Sequence, residues 1–209
     1  MKLVLMSDSH GAHNAIPVPN GDIFVHAGDF SGMGREEEVK SFAEFLRKLP
    51  HKHKIVIAGN HEVSFERNRE EAEKWLGDSC TYLNNSGVTV EGLKFWGSPV
   101  QPFFDNTNTW VFGVHRPEIK DVWDKIPENT DVLITHGGPY GILDKLVNGE
   151  NVGCPYLLTA VKKIKPKLHV FGHIHEAMGI KMLDGTLFVN AAILDEQYRL
   201  IQGCTVIEL

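Results

Sequence analysis

At 209 residues the chain is too short for two substantial domains of roughly 150 residues each and long enough for one well-buried core, so a single domain over residues 1–209 is expected. Its 42% hydrophobic and 23% charged residues exclude the disordered, collagen-like and coiled-coil classes. With 21 basic against 27 acidic residues the net charge is −6, so no global positive field draws long nucleic acid or an anionic membrane.

In chain order, residues 3–6 read as a short buried strand cut off by Ser7 and Asp8. That run is too short for a signal-peptide core and lacks a small-residue cleavage site, so a cytoplasmic chain is expected. Residues 23–27 form a second strand. Residues 35–49 then place Val39, Phe42, Ala43, Phe45, Leu46 and Leu49 on one helical stripe, with Glu36, Glu37 and Glu38 in a solvated first turn and Pro50 as the stop. A third strand covers 55–58, and a weaker helix 68–76 ends at Gly77. Residues 87–97 read as a hairpin across Glu91-Gly92, and 99–115 is the longest stretch without a period, a candidate functional loop. Helices over 117–126 and 155–164, each opening with Pro, alternate with strands over 132–135 and 168–171. A second hairpin crosses Asp184-Gly185 within 178–189, and 202–209 looks like a closing strand. No apolar run approaches the ~18 residues a membrane span needs.

Strand and helix alternate, which predicts a layered α/β fold, and the two hairpins add antiparallel strands. Mixed sheets with helices outside follow, two sheets face to face rather than one open parallel sheet. Cys80, Cys154 and Cys204 are widely spaced with no CxxC pair, which argues against a disulfide framework or a structural zinc knot.

The unusual count is histidine, 11 in all, several beside Asp, Asn or Gly just past an apolar run. Strand one leads into Asp8 and His10, strand two into Asp29, strand three into Asn60 and His61, a later strand into His136 and the last into His173 and His175. Ligands bind at the carboxyl rim of α/β sheets, so these side chains are placed to converge on one cleft. Residues i and i+2 share a side in extended chain, which pairs Asp8 with His10 and His173 with His175. Glycines 28, 59, 137 and 172 permit close backbone approach there. Seven mixed oxygen and imidazole ligands exceed one tetrahedral zinc and are too nitrogen-rich for calcium or a lone magnesium. Two ions about 3.5–4 Å apart that share a carboxylate fit better, and their residual positive charge would attract a phosphate ester.

The motifs DSH, GD, GNHE, THG and GHIH, in this order, resemble the calcineurin-like metallophosphoesterases, whose signature is DxH, GDxx, GNHD/E, H and GHxH. Strings such as VHAGDF (25–30), KIVIAGNHE (54–62) and HVFGHIHE (169–176) are similar to a subgroup named for its metallophosphoesterase domain. The resemblance implies a four-layer α-β-β-α sandwich, two mixed β-sheets flanked by helices, in agreement with the sheet reading. It assigns Asp8, His10, Asp29 and His175 to one metal and Asp29, Asn60, His136 and His173 to the other, with Asp29 as the bridge. It puts the catalytic histidine on His61, with Asn60 and His61 near the phosphate. It implies manganese, iron or zinc, manganese favoured, and hydrolysis of a small phosphodiester, a cyclic nucleotide among the candidates, by in-line attack of a metal-bound hydroxide.

Departures from the pattern narrow the substrate. Residues 28–34 lack the second Asp and the Arg of GDxxDRG, which sets phosphoproteins aside and leaves His61 without an obvious carboxylate partner. The subgroup's THGPPxGxLD reads THGGPYGILD here, with Gly138 in place of the first Pro, and a more mobile loop is expected. Alternatives are a metal- or nucleotide-binding scaffold with little turnover, disfavoured by the full ligand set, and a phosphomonoesterase. A nuclease would need a basic track, for which only Lys162, Lys163, Lys165 and Lys167 offer anything. Outside the motifs, His26 reads as packing or support behind the ligands, and His13, His51, His53, His115 and His169 as solvated or capping. Phe103, Phe104, Trp110 and Phe112 read as a seal rather than a stacking platform, Cys154 as helix-start packing, and Asn190 equally as a cleft residue or a turn.

Overall fold

The computed structural model describes residues 1–104 and 110–209. Two sheets dominate it. In the first, β1 (Lys2–Met6), β2 (Ile23–Ala27), β3 (His53–Ile57) and β4 (Thr81–Tyr82) run parallel, and β13 (Thr205–Glu208) joins antiparallel at the edge, giving the order β13-β1-β2-β3-β4. The second comprises β5 (Ser86–Val90), β6 (Leu93–Ser98), β9 (Val132–Thr135), β10 (Leu168–Phe171), β11 (Gly179–Leu183) and β12 (Thr186–Asn190), in the order β11-β12-β10-β9-β6-β5. Its centre is parallel and each edge is an expected hairpin. A small parallel pair, β7 (Gln101–Pro102) with β8 (Gly113–Val114), lies inside the segment read as irregular. Residues 105–109 of that segment fall outside the described residues.

Strand alternation builds three apolar layers. Leu3, Leu5, Val25 and Ile57 of the first sheet meet Phe95, Val132, Ile134 and Val170 of the second in the central core. The opposite faces look outward. Val4, Met6, Phe24 and Val56 pack against α1 (Glu36–Lys48) and α3 (Arg69–Leu76), beside the short α2 (Val63–Arg67). Leu133, Phe171 and Phe188 pack against α4 (Ile119–Trp123) and α5 (Pro155–Ile164). The result is the four-layer α-β-β-α sandwich with two mixed sheets.

Differences from the sequence reading have local causes. Helix α4 is shorter than 117–126 at both ends; Pro127 keeps it from continuing through Ile126 by disfavouring helical geometry at the residue before it. Glu38 does more than face solvent: its carboxylate accepts from Met33 N (3.1 Å) and Arg35 N (2.8 Å), capping α1. Cys154 caps α5 through sulfur, accepting from Leu157 N and Trp123 Nε1, both at 3.4 Å. His13, His51 and His169 are buried rather than solvated. They pack as flat rings, His13 against Phe42 and Phe45, His51 against Phe24, and His169 against Phe171 and Phe188. Burial pushes the His169 pKa down to about 3, so it stays neutral, with its Nε2 2.8 Å from the Thr135 hydroxyl. Gly138 has a packing reason as well, since a Cβ there would stand 2.7 Å from the Phe171 ring. Among the described residues no helix is long and apolar enough to cross a membrane.

Candidate metal centre

The parallel register carries the polar residues to one edge. Met6 lies opposite His26 and Ala27 opposite Ile57, so β1, β2 and β3 end level and the turns bearing Asp8, Asp29 and Asn60 leave the sheet side by side. The chain after β1 crosses to the other sheet: Ser7 N donates to Ala191 O (2.8 Å) and Ile193 N to Ser7 O (3.2 Å). This stitch brings Asp8 to the end of β10, where the backbone N of His173 donates to both Asp8 carboxylate oxygens at 3.0 Å. Gly172 is required there, because a Cβ would collide with Asp8 Oδ2 and Ser7 Oγ, and a Cβ at Gly59 would meet Asp29 and His136. Asp8, His10, Asp29 and His173 all hold left-handed backbone angles, with φ of 56°, 41°, 55° and 68°. Such angles in non-glycine residues persist only where surrounding contacts over-determine them, and here they aim side chains inward.

All seven candidate ligands and His61 come together. Asp8, His10 and His175 form one group: His175 Nε2 stands 3.4 Å from Asp8 Oδ1 and 3.4 Å from His10 Nε2. Asp29, His136 and His173 form another, with His136 Nε2 3.4 Å from Asp29 Oδ2 and 2.8 Å from Asn60 Oδ1. Asp29 also faces the first group, its Oδ2 3.8 Å from His10 Nε2, and stands 4.0 Å from His61 Nε2. Backbone carbonyls hold the far nitrogens: His136 Nδ1 donates to Ala27 O (3.0 Å), His175 Nδ1 to Asp195 O (2.9 Å) and His61 Nδ1 to Gly32 O (2.7 Å). That arrangement turns Nε2 of His136 and His175 into the cleft, as ligating imidazoles require, and points Nε2 of His61 there as well. Oxygen and nitrogen donors 3.4 Å apart also match the edge of a coordination shell with bonds of about 2.1 Å.

Electrostatics point the same way. Burial opposes ionisation of Asp8, yet His175 and His136 outweigh it and bring its pKa to about 2. Burial likewise resists the charge on Asp29, and His136, His61 and His10 hold it well below the usual range. Burial lowers His10 to about 4 and His173 to about 3. His136 and His175 rise to about 9 against the same penalty, His136 chiefly through Asp29 and His175 through Asp8. The two buried carboxylates thus draw positive charge onto the nearest histidines, and a proton and a cation compete for the same Nε2 atoms.

Glu62, quoted in the sequence only as the end of GNHE, has a definite place. It is fully buried, and one carboxylate oxygen accepts from Asp29 N (2.8 Å) and Gly59 N (2.7 Å) while the other accepts from Ser31 N (2.9 Å) and Ser31 Oγ (2.7 Å). Burial and the Asp29 charge push its pKa up to about 8 against these bonds. Glu62 therefore welds the turn after β2 to the turn after β3 and sets the backbone of Asp29. Glu62→Gln sets an NH₂ against at least one backbone N–H donor in either orientation of the amide. Manganese affinity of the chelator-stripped protein should fall ~10–100-fold by titration, the range for groups that orient ligands; unchanged affinity would remove Glu62 from this role.

Tyr198 escaped the sequence reading because it reaches the cleft only through tertiary contacts, and the structure fixes the places of residues that reading had left between two roles. Trp110 lies on the His61 ring (4.1 Å), Phe104 on His173 (5.1 Å) and Tyr198 edge-on to His10 (4.8 Å), so two of the aromatics read as a seal line the cleft instead. Phe112 is buried in the core and Phe103 stacks on His115, as sealing residues do. Asn190 is buried and ties the cleft loops together, donating to Ile174 O (2.8 Å) and Leu143 O (3.2 Å). His26 supports from behind, its Nε2 3.1 Å from the hydroxyl of Ser9, between Asp8 and His10 in the chain. The cleft, lined by His10, Asp29, Asn60, His61, His173 and His175 with the aromatic rings at its mouth, encloses about 260 Å³.

Comparison with known proteins gives a consistent result. Residues 1–177 match the family described as calcineurin-like phosphoesterase. The chain is 40% identical over 235 residues to metallophosphoesterase domain-containing protein 1 of Homo sapiens, covering all of this chain and 71% of that protein. It is 39% identical over 206 residues to a UPF0046 protein of Caenorhabditis elegans, covering 92% and 69% respectively. Among solved structures, that of TT1561 of Thermus thermophilus superposes with a TM-score of 0.61 at 13% identity, covering 90% of this chain and 88% of that one, a likeness of fold.

Proposed function

The chain belongs to the calcineurin-like phosphoesterase family, and within it we propose that it is a cytoplasmic, dinuclear metal-dependent phosphodiesterase acting on a small phosphodiester. The family's chemistry is metal-dependent hydrolysis of phosphoric esters. The observation that carries the dinuclear reading is Asp29 Oδ2, which faces His136 at 3.4 Å and His10 at 3.8 Å and so addresses both groups. On this reading Asp8, His10, Asp29 and His175 hold one ion, and Asp29, Asn60, His136 and His173 hold the other. The donor set suits manganese, iron or zinc, with manganese favoured by its carboxylate and amide oxygens. When bound, such ions supply Lewis acidity toward a phosphoryl oxygen and an activated water as nucleophile.

The chain's own residues do the rest. Asp8 and Asp29 remain ionised and keep the net charge of the centre low enough to release product. Asn60, buried beside His136, presents its amide to the cleft floor. His61, tethered at Nδ1 to Gly32, keeps Nε2 free to protonate the departing oxygen or to stabilise charge on the phosphoryl group. No Lys or Arg side chain lines the cleft among the described residues, which favours a diester monoanion over a monoester dianion. The test compares a chromogenic diester and monoester on chelator-stripped protein before and after manganese. Restored turnover, faster on the diester, supports the reading. Faster monoester turnover overturns the diester preference, and two bound metals with no turnover favour a binding scaffold.

A further inference from the structure

The mouth of the cleft has a composition that its floor does not explain. Phe104, Trp110 and Tyr198 form a collar in which each ring rests on a different site histidine, from 4.1 to 5.1 Å between centroids. Phe104 and Tyr198 are 52% and 56% exposed, so their free surfaces are open to whatever enters the cleft. Glu176 and Glu196 line the same cleft, both exposed and, among the described residues, neither in an ion pair or side-chain hydrogen bond. Arg199, next to Tyr198, has its guanidinium clamped on Asp195 at 2.7 and 2.6 Å, so it reaches Glu196 only through its longer-range field and forms no ion pair with it. The same Asp195 accepts from the backbone of Gln197 and Arg199, both at 2.9 Å, and offers its carbonyl to His175, so this turn holds Tyr198 and His175 in one frame.

Rings with negative faces and two unpaired carboxylates beside a phosphoester centre repel an anionic substituent and attract a cationic one. We propose that the mouth selects phosphodiesters whose alcohol carries a positively charged amine, the cation lodging among Phe104, Trp110 and Tyr198 opposite Glu176 and Glu196. The inference rests on the phosphodiesterase reading and names its substrate class. Hydrolysis adds one water across a P–O bond: the water oxygen joins phosphorus, the ester oxygen leaves with its electron pair, and one water proton passes to that oxygen or to solvent. The amine takes no part in bond breaking and serves only to seat the ester.

The test pairs two esters with the same leaving group, 4-nitrophenyl phosphocholine and 4-nitrophenyl 3,3-dimethylbutyl phosphate, in which a tert-butyl group replaces the trimethylammonium. On the manganese-loaded protein, kcat/KM for the cationic ester should exceed that for the neutral isostere by ~10-fold or more at low salt. The ratio should collapse in Glu176→Gln/Glu196→Gln. It should also fall in Trp110→Leu, which changes no charge and so separates the collar from the long-range field of an acidic protein. A ratio near one in the unmodified protein, or one undiminished in these variants, overturns the proposal. Bis(4-nitrophenyl) phosphate runs alongside: its turnover with no cation preference sinks this inference alone, whereas turnover of none of the three sinks the phosphodiesterase reading. In that last case calorimetric binding of the two paired esters decides the mouth, tighter binding of the cationic ester supporting a cation site and equal binding overturning it.

Discussion

Asp29→Asn should strip the protein of stable binding at both metal sites at once. Its Oδ2 is the carboxylate oxygen that faces both histidine groups, 3.4 Å from His136 and 3.8 Å from His10. The amide keeps the size and the backbone bond from His61 N to Oδ1 (2.9 Å), so folding should survive, but the negative charge between the two positions is gone. Losing a single preorganised electrostatic group costs ~10²–10³ in turnover, and a group shared by two ions belongs at or beyond the top of that range. The check is metal content after gel filtration, with diester turnover on the same sample. Two retained ions with normal turnover would sink the bridge assignment. The Glu62→Gln variant separates the causes, since it leaves the Asp29 charge in place while disturbing the bonds that aim its backbone.

His61→Ala should behave in the opposite way, leaving metal content at two and slowing hydrolysis ~10²–10⁴-fold. The ring is held on both sides, Nδ1 on Gly32 O at 2.7 Å and one face on Trp110 at 4.1 Å, so its Nε2 has one direction available. If His61 protonates the departing oxygen, the loss should be greater for an alkyl diester than for a nitrophenyl diester, whose phenolate leaves without a proton. Equal losses would assign His61 to stabilising charge on the phosphoryl group, and unchanged turnover would remove it from the mechanism. The tether also answers a question the motifs raised: with no second Asp after GD, a backbone carbonyl replaces a carboxylate as the histidine's partner.

The elements were legible wherever the signal is local. Strands 23–27, 132–135 and 168–171 and the helix 155–164 coincide with β2, β9, β10 and α5, because short apolar runs bounded by Gly, Asp or His, and a Pro-opened amphipathic stripe, are set by neighbours a few residues apart. Two-residue strands such as β4, β7 and β8 carry no period and were invisible. The buried His13, His51 and His169 misled for a related reason: burial of an uncharged ring depends on which aromatic rings the fold brings around it.

The chain by itself determined which groups stand at the strand ends: each carboxylate, amide and imidazole of the cleft follows an apolar run by a few residues, and glycine stands wherever the backbone must approach. That is local chemistry, written in consecutive positions. Only the tertiary structure decided how those ends face one another and what surrounds them. Asp8 and His175 meet across the stitch between the sheets, Glu62 locks Asp29 from another strand end, and Asp195 and Tyr198 arrive from a turn after the last central strand. Contacts of such separation depend on sheet register and loop closure, which no window of neighbouring residues contains.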